Sequence, residues 1–164
     1  EFVNAAKILK KKYHNWKFIL AGTTDYKSPS SIKTMDIKDL KEDGSVEIYG
    51  HVKNINKLFK KSSIVCLPSY REGMPKCLLE AAASGCAVVT SDATGCKESI
   101  IDKITGEIVP VKNIDLLIKK LEYLIQNDNV RLSYGESAKK LAISQFDVDI
   151  ITKKILELYI EIAD

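Results

Sequence analysis

The sequence predicts an α/β protein of the Rossmann-like, doubly wound type, with helices on both faces of a parallel sheet. Three observations carry this prediction. The runs Ile64-Val65-Cys66-Leu67 and Ala87-Val88-Val89-Thr90-Ser91 are nearly continuous apolar stretches, as expected of strands covered on both faces. Segments with apolar residues at helical spacing alternate with such runs along the chain. Alternation of this kind calls for right-handed crossovers and therefore for parallel strands, whose carboxyl ends form the usual ligand-binding rim.

Taken in order, Phe2 to Tyr13 reads as a helix with Phe2, Ala5, Ala6, Ile8 and Leu9 on one face. Trp16 to Ala21 reads as a strand ended by Gly22. The polar stretch Thr23 to Ser31 contains Pro29 and reads as a loop, and Ile32 to Lys41 as a helix. After the turn at Asp43-Gly44, Val46 to Tyr49 is a short strand that Gly50 ends. Ile55 to Lys61 is a brief helix, followed by the strand Ile64 to Leu67. Pro75 to Ser84 reads as a helix stopped at Gly85, and Ala87 to Ser91 as a buried strand. Gly95 opens a loop, Lys97 to Ile101 is a short helix, and Gly106 to Pro110 a last strand. Ile114 to Gln126, Val130 to Ser144 and Val148 to Ile162 close the chain as helices. The last carries Ile151, Ile155, Leu158 and Ile162 at helical spacing. Gly22, Gly50, Ser69 to Pro75 and Ser91 to Gly95 all follow strands, so they are expected along one rim.

The 164 residues suffice for one compact domain with a real core. No apolar run approaches the roughly 20 residues that span a bilayer, and no signal-peptide pattern opens the chain. An opening at Glu1-Phe2-Val3 without Met reads as part of a longer protein. The four cysteines (Cys66, Cys77, Cys86, Cys96) form no C-x-x-C pair, and with two histidines they give no zinc pattern. They read as reduced, mostly buried small hydrophobes of a cytoplasmic protein. A net charge of +3 is too weak to imply nucleic acid. Lys10-Lys11-Lys12 suits a helix C-terminus, with contact to anionic lipid headgroups as the other reading.

The segment richest in chemistry is Ser69-Tyr70-Arg71-Glu72-Gly73-Met74-Pro75-Lys76-Cys77-Leu78-Leu79-Glu80-Ala81. It sets two carboxylates around a Gly-x-Pro turn, between a strand and a helix. Pro75 suits the first helical position, and the free amides after it, together with the helix dipole, favour a phosphate. Gly73 lets a ligand approach the backbone. Glu80, further along the helix, can accept hydrogen bonds from a vicinal diol such as a ribose. Glu72, on the loop, can meet a different part of the same ligand, for which a sugar beyond the phosphates is the natural candidate.

The segment resembles the E-x7-E signature of glycosyltransferase family 4, which has the GT-B fold. Phe2-Val3-Asn4-Ala5-Ala6-Lys7-Ile8-Leu9 is similar to the first helix of that family's donor domain, and Phe18-Ile19-Leu20-Ala21-Gly22 to its next strand. Ile48-Tyr49-Gly50-His51-Val52, Thr94-Gly95-Cys96-Lys97-Glu98 and Thr105-Gly106-Glu107-Ile108-Val109-Pro110 resemble further motifs. The likeness covers the whole chain, residues 1–164, as a nucleotide-sugar donor-binding domain. It is strongest to members that extend bacterial surface polysaccharides and lipid-linked glycans, several of which use UDP-N-acetylhexosamines.

By position, the resemblance implies that Glu72 is catalytic, contacting the donor sugar and stabilising charge at its anomeric carbon. It implies that Gly73, Met74 and Pro75 approach sugar and phosphates, that Leu79 helps wall the nucleoside diphosphate, and that Glu80 binds the ribose. Gly22, His51 and Val52 border the base. Lys97 stands where many relatives have Arg, and Asp92 reads as a helix cap or a loop hydrogen-bonding group rather than a ligand. The resemblance implies a metal-independent transferase without cofactors. The implied reaction is transfer of a hexose or N-acetylhexosamine from a nucleotide sugar, expected to be a UDP-sugar, to a glycan or lipid-linked acceptor. Retention through a front-face, ion-pair-like step is implied, in the cytoplasm or at the inner face of the plasma membrane with peripheral contact.

The family's cationic Arg and Lys, the first strand of the domain and the N-terminal acceptor-binding domain would all lie before Glu1. The expectation is therefore a donor-binding half that is inactive alone. Within the same fold, a UDP-sugar epimerase or a trehalose/sucrose-type synthase fits the flanks less well. From another class, a non-catalytic nucleotide-binding or regulatory module is the alternative. A response-regulator-like signalling domain lacks support, because in this sequence no acidic cluster follows the first strand and no suitable phospho-acceptor Asp ends the third. The face of Val148 to Ile162 is expected to pack either on its own domain or on a part outside this chain.

Overall fold

The structure, a computed structural model, describes residues 1–23, 40 and 42–163. Its elements are α1 (Phe2–Lys12), β1 (Ile19–Ala21), β2 (Glu47–Gly50), α2 (Ile55–Phe59), β3 (Ile64–Leu67), α3 (Lys76–Ala83), β4 (Ala87–Ser91) and a 3-10 turn (Lys97–Ser99). They continue with β5 (Gly106–Val109), α4 (Ile114–Gln126), α5 (Asp128–Gln145) and α6 (Val148–Ala163). The expected loop to Ser31 and helix to Lys41 fall almost wholly outside the described residues.

All described strand pairs are parallel, as predicted, but they form two sheets rather than one: β1–β2 and β3–β4–β5. Among the described residues, β1 and β3 each pair along one edge only. This explains a difference in burial. β4, paired on both sides, is buried at all five positions, whereas every residue of β3 is only partly buried, contrary to a strand covered on both faces. The two sheets still share one core. Phe18 and Val46 beside the first sheet pack with Ala87, Val89 and Val109 of the second, under Ala5, Ala6 and Leu9 of α1 and Leu117, Leu121 and Leu124 of α4. On the other face Leu78 and Ala81 of α3 pack with Phe59, Val88 and Cys86. The Cys86 thiol donates to Phe59 O and Ser62 O at 3.2 and 3.3 Å, and burial pushes its pKa up to about 11.

Three local features place the rim. First, α1 ends on its lysines: Lys10 Nζ donates to His14 O and Trp16 O at 2.9 and 2.8 Å, and Lys12 pairs with Glu122 of α4 at 3.1 Å. These contacts match the helix-end reading of the run. Second, α1 begins at the rim, where the Tyr70 hydroxyl donates to the Glu1 carboxylate and Glu1 and Pro68 line one small cavity. Third, α5 runs tight against the turn after α3. A Cβ at Gly135 would lie 2.1 Å from Gly85 O, so only glycine lets helix and turn approach this closely.

A buried ion pair joins β5 to α4 and α5. Glu107, 2% exposed, has Lys120 Nζ 2.7 Å from Oε2, and the Tyr134 hydroxyl donates to Oε1 at 3.1 Å. Burial, then the Glu107 charge, holds the Tyr134 phenol above its ordinary range, so it remains a donor. By contrast α6 stands clear, with Val148, Leu156, Tyr159, Ile160 and Ile162 all more than half exposed. Ile151 and Ile155, on its expected apolar face, are less exposed, at 38% and 46%. No described helix is long and apolar enough to cross a membrane.

Candidate functional site

The loop between β3 and α3 is shaped by the end of β4 and the turn that follows it. Thr90 Oγ1 donates to Leu67 O at 2.8 Å, and Ser91 Oγ donates to Ser69 O, so two β4 side chains hold the chain as it leaves β3. The Glu72 amide donates to Thr94 O at 3.3 Å. Ser69 Oγ donates to Glu72 Oε1 at 2.9 Å and orients that carboxylate. The result is an open cavity of about 760 Å3 lined by Tyr70, Arg71, Glu72, Gly73 and Thr94. Gly73 faces free space: a Cβ built there meets nothing within 4 Å.

α3 starts one residue later than the sequence suggests. Pro75 is its N-cap, with φ −70° and ψ 105°, and is buried; its carbonyl accepts from the Leu78 amide at 2.9 Å. The shift has a simple cause. An N-cap is extended rather than helical, and proline, without an N–H, fits there as well as inside the first turn. The Lys76 and Cys77 amides then open the helix, where no intrahelical acceptor exists and the dipole is positive.

Glu80 lies on the same helix and pairs loosely with Lys76, Nζ to Oε1 3.6 Å. It does not line the cavity beside Glu72. The two acids nevertheless flank common ground. The Cys77 thiol is pushed up first by burial, and then by the nearby charges of Glu72 and Glu80. Leu79 is half-buried between them in sequence, and Met74 is 47% exposed.

The other predicted residues sit at the ends of β1 and β2. The Gly22 amide donates to Gly50 O at 2.8 Å, and Gly50 has φ +60°. His51 is exposed and Val52 half-buried just beyond. None of the three lines the Glu72 cavity. Asp92 accepts from the Val111 amide at 2.9 Å, the loop-bonding role expected of it, and Lys97 is exposed.

Two kinds of residue escaped the sequence reading. Tyr70 and Arg71 stand beside Glu72 in the sequence, and adjacency to a cavity-lining acid is the signal that finds them. Lys112 Nζ lies 5.5 Å from the centre of the Tyr70 ring, a contact from the loop after β5 that no local pattern announces. Thr94 joins the cavity only because β4 lies beside β3, so its place depends on sheet register.

Comparison with known proteins follows the same lines. The family model described as "Glycosyl transferases group 1" matches residues 1–141. A Campylobacter jejuni N,N'-diacetylbacillosaminyl-diphospho-undecaprenol alpha-1,3-N-acetylgalactosaminyltransferase is 35% identical over 159 residues, which cover 97% of this chain and 40% of that protein. The capsular polysaccharide biosynthesis glycosyltransferase CapM of Staphylococcus aureus is 25% identical, with 97% and 41% covered. Thus the chain spans about 40% of the length of these curated relatives. Among solved structures, Anabaena Alr3699/HepE in complex with UDP superposes with a TM-score of 0.85 at 21% identity, covering 98% of this chain and 44% of that one. The C-terminal domain of the group 1 glycosyl transferase LpcC from Francisella tularensis gives 0.79 at 25%, covering 90% and 78%. The fold is accordingly that of the Rossmann-like domain of GT-B glycosyltransferases.

Proposed function

The chain belongs to the glycosyl transferases group 1 family, and from that premise we propose that it is the donor-binding domain of a retaining hexosyl- or N-acetylhexosaminyltransferase. The donor is a nucleotide sugar, in the first place a UDP-sugar, and the acceptor a glycan or lipid-linked saccharide of bacterial surface polysaccharide synthesis. The observation that carries the reading is the pairing of an oriented carboxylate, Glu72, with an open cavity and a glycine backbone at the threshold of a helix N-terminus. Glu72 meets the donor sugar and stabilises positive charge at its anomeric carbon; the Lys76 and Cys77 amides face the diphosphate. Glu80 takes the ribose diol, and Gly22, His51 and Val52 border the base. No metal or cofactor is assigned a part.

Departure of a nucleoside diphosphate builds negative charge on the leaving oxygen, and catalysis requires donors aimed there. In this proposal the main cations, and the acceptor-binding domain, belong to a preceding part of a longer protein, so the chain by itself binds donor without transferring it. The edges of β1 and β3 that are unpaired among the described residues, with Glu1 held at the end of β3, fit a slot for one extended segment ahead of Glu1. Such a segment would join the two sheets. Amide exchange in β1 and β3 should then slow in a longer chain, and unchanged exchange would remove the slot.

The test of donor binding is a screen of UDP-, GDP- and ADP-sugars against the chain by thermal shift and ligand-observed NMR. A UDP-sugar is expected to bind, and no binding of any nucleotide would overturn the reading. Sugar transfer by the purified chain above a Glu72→Ala control would overturn the claim that it is inactive alone.

A further inference from the structure

We propose that Gly95 is a positioning residue: the backbone turn it opens sets the height of Glu72 and Gly73 over the cavity. The inference rests on the donor-binding reading above and concerns a residue outside the cavity lining. Gly95 has φ +86°, and a Cβ on it would lie 1.9 Å from Gly73 O, 2.5 Å from Glu72 O and 2.6 Å from Gly73 C. All three are main-chain atoms, so no side chain can swing aside to make room.

The turn is itself fixed from below. The Gly95 amide donates to Glu98 Oε2 at 2.6 Å, and Ser99 Oγ, fully buried, donates to Gly95 O at 2.8 Å and lies 3.4 Å from Met74 Sδ. Thr94 O takes the Glu72 amide. Residues 94, 95 and 99 therefore contact 72, 73 and 74 in order. The direction that a Gly73 side chain would take is open. The signature loop thus rests on this turn with its ligand face free, and any group larger than hydrogen at position 95 lifts Glu72 and Gly73 together. Glu80, carried by α3, has no part in these contacts. The sugar-facing and ribose-facing acids are therefore separable by mutation.

The test uses the chain with UDP-N-acetylglucosamine as probe, read by saturation-transfer NMR, with thermal unfolding recorded in parallel. In the wild type, both the ribose and the hexosamine anomeric protons receive saturation. In Gly95→Ala the ribose signal is expected to persist while the sugar-to-ribose ratio falls by about threefold or more, the scale of one lost polar contact. Ser99→Ala removes the support without adding bulk; it is expected to lower the ratio in the same direction, by less, and it decides the matter if Gly95→Ala does not fold. A merely structural role would weaken both signals together. An unchanged ratio in the folded variants would overturn the inference. Absence of a ribose signal in the wild type with every UDP-, GDP- and ADP-sugar of the screen would instead overturn the donor-binding reading, and this inference with it.

Discussion

Replacing Lys120 by Met should unfold this domain far more easily than any surface lysine change. Glu107 is 2% exposed, and its Oε2 makes no hydrogen bond of good geometry, so Lys120 Nζ at 2.7 Å is the charge that compensates it. Tyr134 serves the other oxygen at 3.1 Å. Removing one partner of a buried pair costs about 3–5 kcal/mol, because a desolvated charge is left behind. The Lys120 side chain is 26% exposed, which lets water recover part of the loss, so the low end, about 3 kcal/mol, applies. For a chain of this size that corresponds to a fall in Tm of about 6–12 °C. Urea unfolding at pH 7, followed by circular dichroism, measures it, with m unchanged if the folded state keeps its shape. The double change Glu107→Leu/Lys120→Met removes both charges and should recover most of the loss. A cost under about 1 kcal/mol for Lys120→Met, the range of exposed pairs, would refute the argument.

Three further outcomes are expected. Asp43 is held down to about 2, first by the Lys7 side chain at 2.6 Å and then by Ser45; its contribution to stability is present above the unfolded value near 3.9 and is lost as pH falls through about 2, so Asp43→Asn should flatten the Tm profile over that window. Gly135→Ala should destabilise by about 1–3 kcal/mol in urea unfolding, because its Cβ meets Gly85 O at 2.1 Å, whereas Gly73→Ala, with open space around it, should leave unfolding unchanged. Glu80→Ala should weaken UDP-sugar binding by about 1.5–3 kcal/mol in titration calorimetry, the usual loss for hydrogen bonds to a charged group.

Much of this fold was legible because it obeys local rules. β3, β4 and α4 occur at the residues where apolar pattern and turn residues put them. Boundaries moved where local signals compete. Pro75 fits both N-cap and first helical position, and α5 starts at Asp128 rather than Val130 because polar residues belong to a helix's first turn as readily as to a loop. The division into two sheets was not legible, since strand order and edge pairing are non-local. The place of Glu72 on the loop after β3 and of Glu80 on α3 follows from local pattern. The fit of Gly95 against the backbone of Glu72 and Gly73 does not, because it is a contact between two loops brought together by β3 and β4.

The ion pair at Glu80 bears on whether the two acids can act on one ligand. If Lys76 held that carboxylate firmly, the ribose role would fail. The geometry argues otherwise. The pair is spaced i,i+4 on a helix, 3.6 Å apart, with the Lys76 side chain 87% exposed. Pairs of this kind contribute roughly 0.3–0.5 kcal/mol, and less as salt rises. Hydrogen bonds to a charged group contribute about 1.5–3 kcal/mol. A diol bound as proposed would therefore displace the lysine with free energy to spare. Lys76→Met separates the cases: a nucleotide should bind the variant as well as the wild type or slightly better. Binding lost on removing that lysine would mean that the cation, rather than Glu80, contacts the ligand.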